Sequence, residues 1–337
     1  MKTNVAIVIP NWNGAKIIGQ CIESLMIQSL QPHIIVVDNG SSDDSCALIS
    51  SKYEHVELIQ LSANKGFAGG VNTGIQSAIQ QGFAFIGLLN NDAVVKKHWL
   101  KNLHNALSSN KSYGSATGLI MDDDDAFIDN TGDGYSTWGL TISSNRGLPP
   151  RSAPNKQREV FGACAGACLY RAKAINSVGL FDKKFFAYYE DTDINFRLQL
   201  AGWKTVYEPK ATTQHATGST SKKIKGFTTY HTMKNLPMLF WKNVPWRYVP
   251  HIFPRLFLAY WTIMIKSIFT GKAWPALKGH TAWLKNIPHT FRQRRRIQAS
   301  KTVSNDYIWS ILTHDLPPNA RNLRKLRYIA SLGRIKP

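Results

Sequence analysis

Three carboxylates, Glu190, Asp191 and Asp193, fall within four residues at the start of a stretch whose Ile194, Phe196, Arg197, Leu198 and Leu200 have helical spacing. A helix N-terminus stabilises carboxylates in their charged form, which keeps a general base ready to take a proton. Asp92 ends the sequence Asn90-Asn91-Asp92, directly after an apolar run at 83–89. A carboxylate at a strand end can hold a divalent ion against phosphate oxygens, where it offsets the charge that builds on a departing diphosphate.

Those groups need rigid elements behind them. Short apolar runs rich in β-branched residues recur at 5–9, 34–37, 56–61 and 83–89. Between the first three lie segments with helical spacing, such as Ile17, Ile18, Cys21, Ile22, Leu25 and Met26, then Ala47, Leu48 and Ile49. Strands buried on both faces and alternating with helices predict a parallel sheet, whose ligands sit beyond the carboxyl ends of its strands. Each run ends in turn-forming polar residues: Pro10-Asn11-Trp12-Asn13-Gly14, Asp38-Asn39-Gly40-Ser41-Ser42, Asn64-Lys65-Gly66 and Asn90-Asn91-Asp92. Four such ends can line one rim. Residues 110–160, rich in Gly, Ser, Asp and Pro, read as loops and short strands, with the acidic run 122–125 in solvent.

Charge divides the chain of 337 residues. Residues 1–215 carry 19 Lys+Arg and 19 Asp+Glu, so the whole formal charge of +20 sits in the last third, with its 22 basic and 2 acidic residues. A neutral body with a cationic module implies an anionic partner. From 236 to 270 aromatic and aliphatic residues mix with Lys242, Arg247, Arg255 and Lys266, and the longest charge-free apolar stretch is ten residues, 256–265. A spanning helix needs about 20. Pro245, Pro250 and Pro254 are expected to break this segment into short helices lying in a headgroup region, or capping the body through their apolar faces. The basic residues Arg292, Arg294, Arg295 and Arg296, then Arg321, Arg324, Lys325 and Arg327, favour anionic lipid by about 1 kcal/mol each near a surface. Nucleic acid is not the expected partner, because the tail lacks zinc spacing and a recognition-helix pattern. Four cysteines without metal-ligand spacing, and a strand pattern that begins without a secretory signal, point to a reducing cytosol.

The segments VAIVIPNWNG, IIVVDNGSSDDS, NKGFAGGVNTGI, FIGLLNNDAVV and AGACLYRAKAINSVGLFDKKFFAYYEDTDINFRLQLAGWKTVYEPKATTQHATGST occur in the order seen in family 2 glycosyltransferases, over roughly residues 4–220. The chain most resembles the rhamnosyltransferase-type branch, which builds bacterial cell-surface polysaccharide. That resemblance implies an α/β GT-A fold, the nucleotide-diphospho-sugar transferase fold, with a mostly parallel central sheet, to which the aromatic and basic residues beyond it add a C-terminal helical, membrane-associating tail. The expected organisation is a catalytic domain at 1–220, with a donor half at about 1–95 and an acceptor half at about 158–220, then a tail at 221–337. The implied reaction is inverting transfer of a sugar, rhamnose among the candidates, from a nucleoside diphosphate to a saccharide or lipid-linked acceptor. The implied site is the cytoplasmic face of a bacterial inner membrane, with the protein bound peripherally to its anionic surface.

By the same resemblance Asp191 is the base, Glu190 contacts the acceptor, and Asp193 supports the site through an i,i+4 pair with Arg197. Asp92 and His215 are the implied metal ligands; oxygen-plus-imidazole ligation suits Mg²⁺ or Mn²⁺. Asn90 stands where the family's DxD motif has its first aspartate, so only a neutral oxygen remains there. Pro10, Asn11, Asn13, Asp38, Asn39, Asn64, Lys65, Gly66, Phe67, Asn90 and Asn91 are the implied donor pocket, with Asn72 reaching the sugar. Gly166, Ala167 and Cys168 are expected to pack under that sugar, and Phe181, Asp182, Phe185, Phe186 and Tyr188 to form an acceptor wall. Two rivals remain. A sugar-1-phosphate nucleotidyltransferase would show a glycine-rich triphosphate loop with Lys and Arg, which residues 10–16 do not. A catalytically dead membrane adaptor is disfavoured by Glu190, Asp191 and His215.

Overall fold

The computed structural model describes residues 4–216 and 224–315. The arginine cluster from 321 onward and the expected domain boundary near 220 lie outside the described residues. The chain runs β1 (Val5–Asn11), α1 (Ile18–Met26), β2 (His33–Asp38), α2 (Ser45–Lys52), β3 (Glu57–Gln60), α3 (Gly66–Gln80), β4 (Phe85–Leu89), β5 (Ala93–Val95) and α4 (Trp99–Ser108). It continues through β6 (Tyr113–Met121), β7 (Ile128–Asn130), β8 (Asp133–Tyr135), β9 (Thr141–Ser143), β10 (Arg158–Val160), β11 (Ala167–Arg171), α5 (Ala172–Val178), α6 (Glu190–Leu200) and β12 (Lys204–His215). The C-terminal region is helical: α7 (Phe227–Asn243), α8 (Val249–Phe269), α9 (Ala273–Lys285), α10 (Ile287–Ala299) and α11 (Asn305–Ser310).

The main sheet has the order β10-β12-β6-β11-β4-β1-β2-β3. Strands β4, β1, β2 and β3 are parallel, as are β6 and β12, while β11 lies antiparallel between β4 and β6. Apolar side chains fill both faces. Ile7, Ile9 and Val36 pack with α1 and α4 on one, and Val8, Ile35 and Val37 with α3 and α6 on the other. This two-sided burial explains the uninterrupted apolar runs.

The structure departs from the sequence reading in two places. Residues 113–121, within the stretch expected to hold loops and short strands, form a long strand of nine residues inside the main sheet. Its Ser115 and Thr117 are fully buried, Ser115 Oγ pairs with Thr205 Oγ1 at 2.8 Å, and a Cβ at Gly118 would overlap the Ala211 carbonyl. Small residues sit there because β12 comes very close, and that hides the strand's hydrophobic signature. Secondly, prolines do not fragment the tail: α8 is one helix of 21 residues. Pro250 occupies the first turn, where no N–H is needed, and Ile252, Leu256, Ala259, Tyr260 and Met264 bury one face past Pro254. By length and composition, 246–269 is apolar enough to cross a membrane. Its packed face lies in a core shared with the sheet domain, where Tyr135, Phe161, Phe185 and Phe196 meet Met233, Leu239, Phe240 and Tyr248. The opposite face leaves Phe253, Phe257, Trp261, Ile265, Ile268 and Phe269 exposed.

Candidate active site

The carboxyl ends of β1 and β4, the start of α6 and the end of β12 surround a cleft of about 1040 Å³, lined by both Asp92 and Asp191. On one side the rim is a network of asparagines. Asn91 Nδ2 donates to Asn11 Oδ1 at 2.8 Å, and Asn11 Nδ2 donates to Asp38 Oδ1 at 3.1 Å. Asn39 Nδ2 donates to Asn64 Oδ1 and the Gly66 carbonyl, while its Oδ1 accepts from the Lys65 N–H, fixing the turn into α3. Pro10, Asn11, Asn39, Asn64, Gly66, Phe67, Asn90 and Asn91 line the cleft.

Four expected donor contacts do not. Asp38 is buried, and its carboxylate is used by Asn11, the Ser41 N–H (2.9 Å) and Ser41 Oγ (2.6 Å), so it braces the rim from behind. Asn13, in a left-handed turn with φ 51°, accepts from the Ser42 N–H. Lys65 is exposed outside the cleft. Asn72 bonds both the N–H and the carbonyl of Phe181, 109 residues away, and so ties α3 to the segment between α5 and α6. A buried amide takes the nearest backbone partners, and here those belong to the fold.

At the cleft's centre His215 Nε2 lies 3.1 Å from Asp92 Oδ1 and 3.1 Å from Asn90 Nδ2, while Nδ1 lies 3.2 Å from Asp129 Oδ2. Asp129 in turn pairs with Arg146 at 2.7 Å. Burial works against a charged imidazole, but hydrogen bonds and charges from Asp129 and Asp92 outweigh it and push the His215 pKa up to about 9. A carboxylate on Nδ1 fixes the ring so that Nε2 faces the cleft, the arrangement of a metal-ligating histidine. Asp92 and His215 therefore fit as a partial divalent-cation site to be completed by phosphate oxygens. No group of three or more His, Cys, Asp or Glu able to hold a metal exists among the described residues. Gly166 keeps this spot open, since a Cβ there would approach Asn90 and His215. Cys164 lines the cleft, whereas Cys168 is buried.

The other side is built from strained backbone. Phe186, Tyr188 and Tyr189 have φ of 67°, 66° and 73°, in the left-handed region that non-glycine residues avoid. Buried Asn235 of α7 holds them there: its Nδ2 donates to the carbonyls of Phe185, Ala187 and Tyr188 at 3.0, 2.9 and 2.8 Å. Lys234 Nζ adds a bond to Phe185 O at 3.1 Å. The segment delivers Glu190 and Asp191 into the cleft at the first turn of α6. Arg197 Nε pairs with Asp193 Oδ2 at 3.0 Å, and Lys242 and Asn243 of α7 bind Asp193 Oδ1, each at 2.9 Å. Of the expected acceptor wall, Phe186 and Tyr188 line the cleft. Phe181 and Phe185 are core, and Asp182 is taken by Lys242 and His289.

Burial and the charge of Asp191 raise the Glu190 pKa to about 8, and burial raises that of Asp191. Asp133, which the sequence reading missed, lines the same cleft, and burial with the nearby Asp191 charge pushes its pKa well up. Glu190 Oε2 and Asp133 Oδ2 have no partner among the described residues. Asp129, Asn130 and Asp133 cluster in the stretch read as loops, and that acidic spacing was the available signal. The cleft thus sets a carboxylate and an imidazole whose chemistry suits a divalent cation beside buried acids, two of whose oxygens have no partner among the described residues, a setting for moving a proton off a hydroxyl beside a phosphorylated group.

A family model described as "Glycosyl transferase family 2" matches residues 6–179. The chain is 28% identical over 220 residues, 58% of its length and 70% of the relative's, to N-acetylglucosaminyl-diphospho-decaprenol L-rhamnosyltransferase of Mycobacterium tuberculosis (strain CDC 1551 / Oshkosh). In fold it is similar to S. aureus TarS 1-349, with TM-score 0.54 and 13% identity over 89% of this chain and 83% of that one. It is also similar to the mannosyltransferase PcManGT of Pyrobaculum calidifontis, solved with GDP-Man and Mn²⁺, with TM-score 0.51 and 12% identity over 92% of this chain and 84% of that one.

Proposed function

The chain belongs to glycosyl transferase family 2 and is a glycosyltransferase, and on that premise we propose that it inverts configuration while moving a hexose, rhamnose first among candidates, from a nucleoside diphosphate to a lipid-linked saccharide. The observation that carries the reading is the single cleft shared by Asp92 and Asp191. The asparagine rim takes the nucleotide and sugar. Asp191 removes the acceptor hydroxyl proton as that oxygen attacks the anomeric carbon; the new C–O bond forms while the sugar–diphosphate bond breaks on the opposite face. Glu190, with its pKa near 8, keeps its proton at neutral pH and donates a hydrogen bond to an acceptor oxygen. Asp92 and His215 would hold a Mg²⁺ or Mn²⁺ ion, which supplies charge neutralisation for the diphosphate; the Mn²⁺ bound to the archaeal neighbour supports this.

In this reading 1–95 serves the donor, 158–220 the acceptor, and the helices after 221 complete the acceptor side through α7. The exposed aromatic face of α8, with Trp274, Leu277 and Leu284 of α9 and exposed Arg255, Lys266, Lys272 and Lys278, lies on anionic lipid at the cytoplasmic side of a bacterial inner membrane. Its other face is already occupied by protein, which favours lying on the bilayer over crossing it. The diphospho-decaprenol in the relative's name supports a lipid-linked substrate, and with it we propose a role in cell-surface glycan synthesis.

The test is thermal stability against dTDP-, UDP- and GDP-sugars, with and without Mn²⁺, followed by transfer to a polyprenyl-diphosphate saccharide and determination of the product anomer. A dTDP-sugar should stabilise the protein most, and more with metal. Stabilisation by no nucleotide sugar, or a retained anomeric configuration, overturns the reading.

A further inference from the structure

A second cavity, of about 320 Å³, lies in the helical region between α10 and the turn before α8, lined by Trp246, Phe291, Arg294, Arg295 and Gln298. Arg294 is 3% exposed. Its Nη1 donates to the Trp241 carbonyl at 2.7 Å, but Nε and Nη2 are buried and have no acceptor among the described residues. The guanidinium lies 3.9 Å from the Trp246 ring centroid. An indole face attracts a cation yet offers no lone pair in the plane of the two N–H groups, so their hydrogen-bond capacity stays unused. Burial accordingly pulls the Arg294 pKa down to about 10.

Several features define what would satisfy this arginine. Among the described residues no acid lines the cavity, and the exposed Arg295 adds a second positive charge at its mouth. Nε and Nη2 form the edge of the guanidinium fork that matches two oxygens of one tetrahedral anion. Trp246 is 59% exposed, so its ring can swing aside without loss of core packing.

We propose that this cavity is a phosphate-binding site in which Arg294 and Arg295 grip a single phosphate group, with Trp246 as its movable cover. The group is either a phospholipid headgroup phosphate or free phosphate. The site is separate from the cleft and from sugar transfer. The lipid alternative deepens the membrane reading, giving the helical region a specific lipid contact besides a diffuse charged face.

The experiment uses the full chain and two probes: vesicles of phosphatidylcholine with or without phosphatidylglycerol, read by co-sedimentation, and inorganic phosphate against chloride at equal ionic strength, read by thermal shift. Arg294→Lys keeps the charge and loses the fork, and should weaken binding to phosphatidylglycerol vesicles about tenfold, with Arg295→Gln losing about fivefold; Arg292→Gln, the same charge change on the same helix outside the cavity, should lose less than about twofold. Arg295 and Arg292 are exposed, so that pair remains informative should Arg294→Lys fail to fold. Loss of the phosphate-induced thermal shift in Arg294→Lys or Arg295→Gln, with unchanged vesicle binding, supports the site and assigns it to free phosphate. Equal losses for Arg295→Gln and Arg292→Gln, or wild-type behaviour of Arg294→Lys with both probes, overturns it in favour of diffuse electrostatics and an ordered water on the arginine. Vesicle binding lost by every protein with sugar transfer intact leaves the enzyme reading standing and removes the lipid alternative.

Discussion

The two sides of the cleft are made differently. The side proposed for the donor is a row of strand ends: Asn11 ends β1, Asn39 follows β2, Asn91 lies two residues past β4, and side chains from neighbouring ends bond one another. The acceptor side is a segment in unfavourable backbone conformations that would relax if left alone, and α7 reaches back across the chain to hold it. A parallel sheet supplies geometry at its strand ends without further help, whereas acids at the start of a helix that follows an irregular segment must be positioned by something else. The C-terminal helices therefore pack on the sheet domain with one face and leave an apolar face exposed on the other.

The sharpest test of this asymmetry is Asp191→Asn. Donor-induced stabilisation should persist while kcat falls by about 10³-fold, as expected for loss of a general base; a variant with normal turnover ends the assignment. Next is Asn235→Ala, which takes a donor from three carbonyls of the strained segment, of which Phe185 keeps the bond from Lys234. It should cost about 3 kcal/mol of stability by denaturant titration, since each unsatisfied buried group costs about 1–3. It should also raise the acceptor KM while leaving donor affinity unchanged, and equal damage to both substrates would erase the distinction between the sides.

On the donor side, Asp129→Asn frees the His215 ring and should weaken Mn²⁺-dependent donor binding about tenfold, measured by calorimetry, as expected for a carboxylate that orients a ligating histidine. The smallest effect concerns pH. The folded-state pKa of Glu190 is raised from 4.5 to about 8, so the folded protein holds that proton more tightly than the unfolded chain. The stabilisation is fully present below pH 4.5 and lost as pH rises through about 8. Glu190→Gln should flatten the decline of Tm over that window; an unchanged slope would place the titration elsewhere.

Local pattern was enough to find the sheet, the order of its first four strands in the chain, the polar residues at their ends, and the acids Asp92, Glu190 and Asp191. Two-sided burial writes continuous apolar runs into a sequence, and turn chemistry follows them immediately, so both are readable over a few residues. Which polar side chains face the cleft was decided only in three dimensions. Asp38 and Asn72 have the right chemistry, but packing set backbone and side-chain partners closer to them than any ligand. Asn235 reaches its carbonyls across 47 to 50 residues and Asp129 meets His215 across 86, separations with no periodic trace. The course of α8 past Pro254 likewise depended on a buried face shared with the sheet domain. The chain encoded its chemistry in short words, and long-range packing determined which of them reach the substrate.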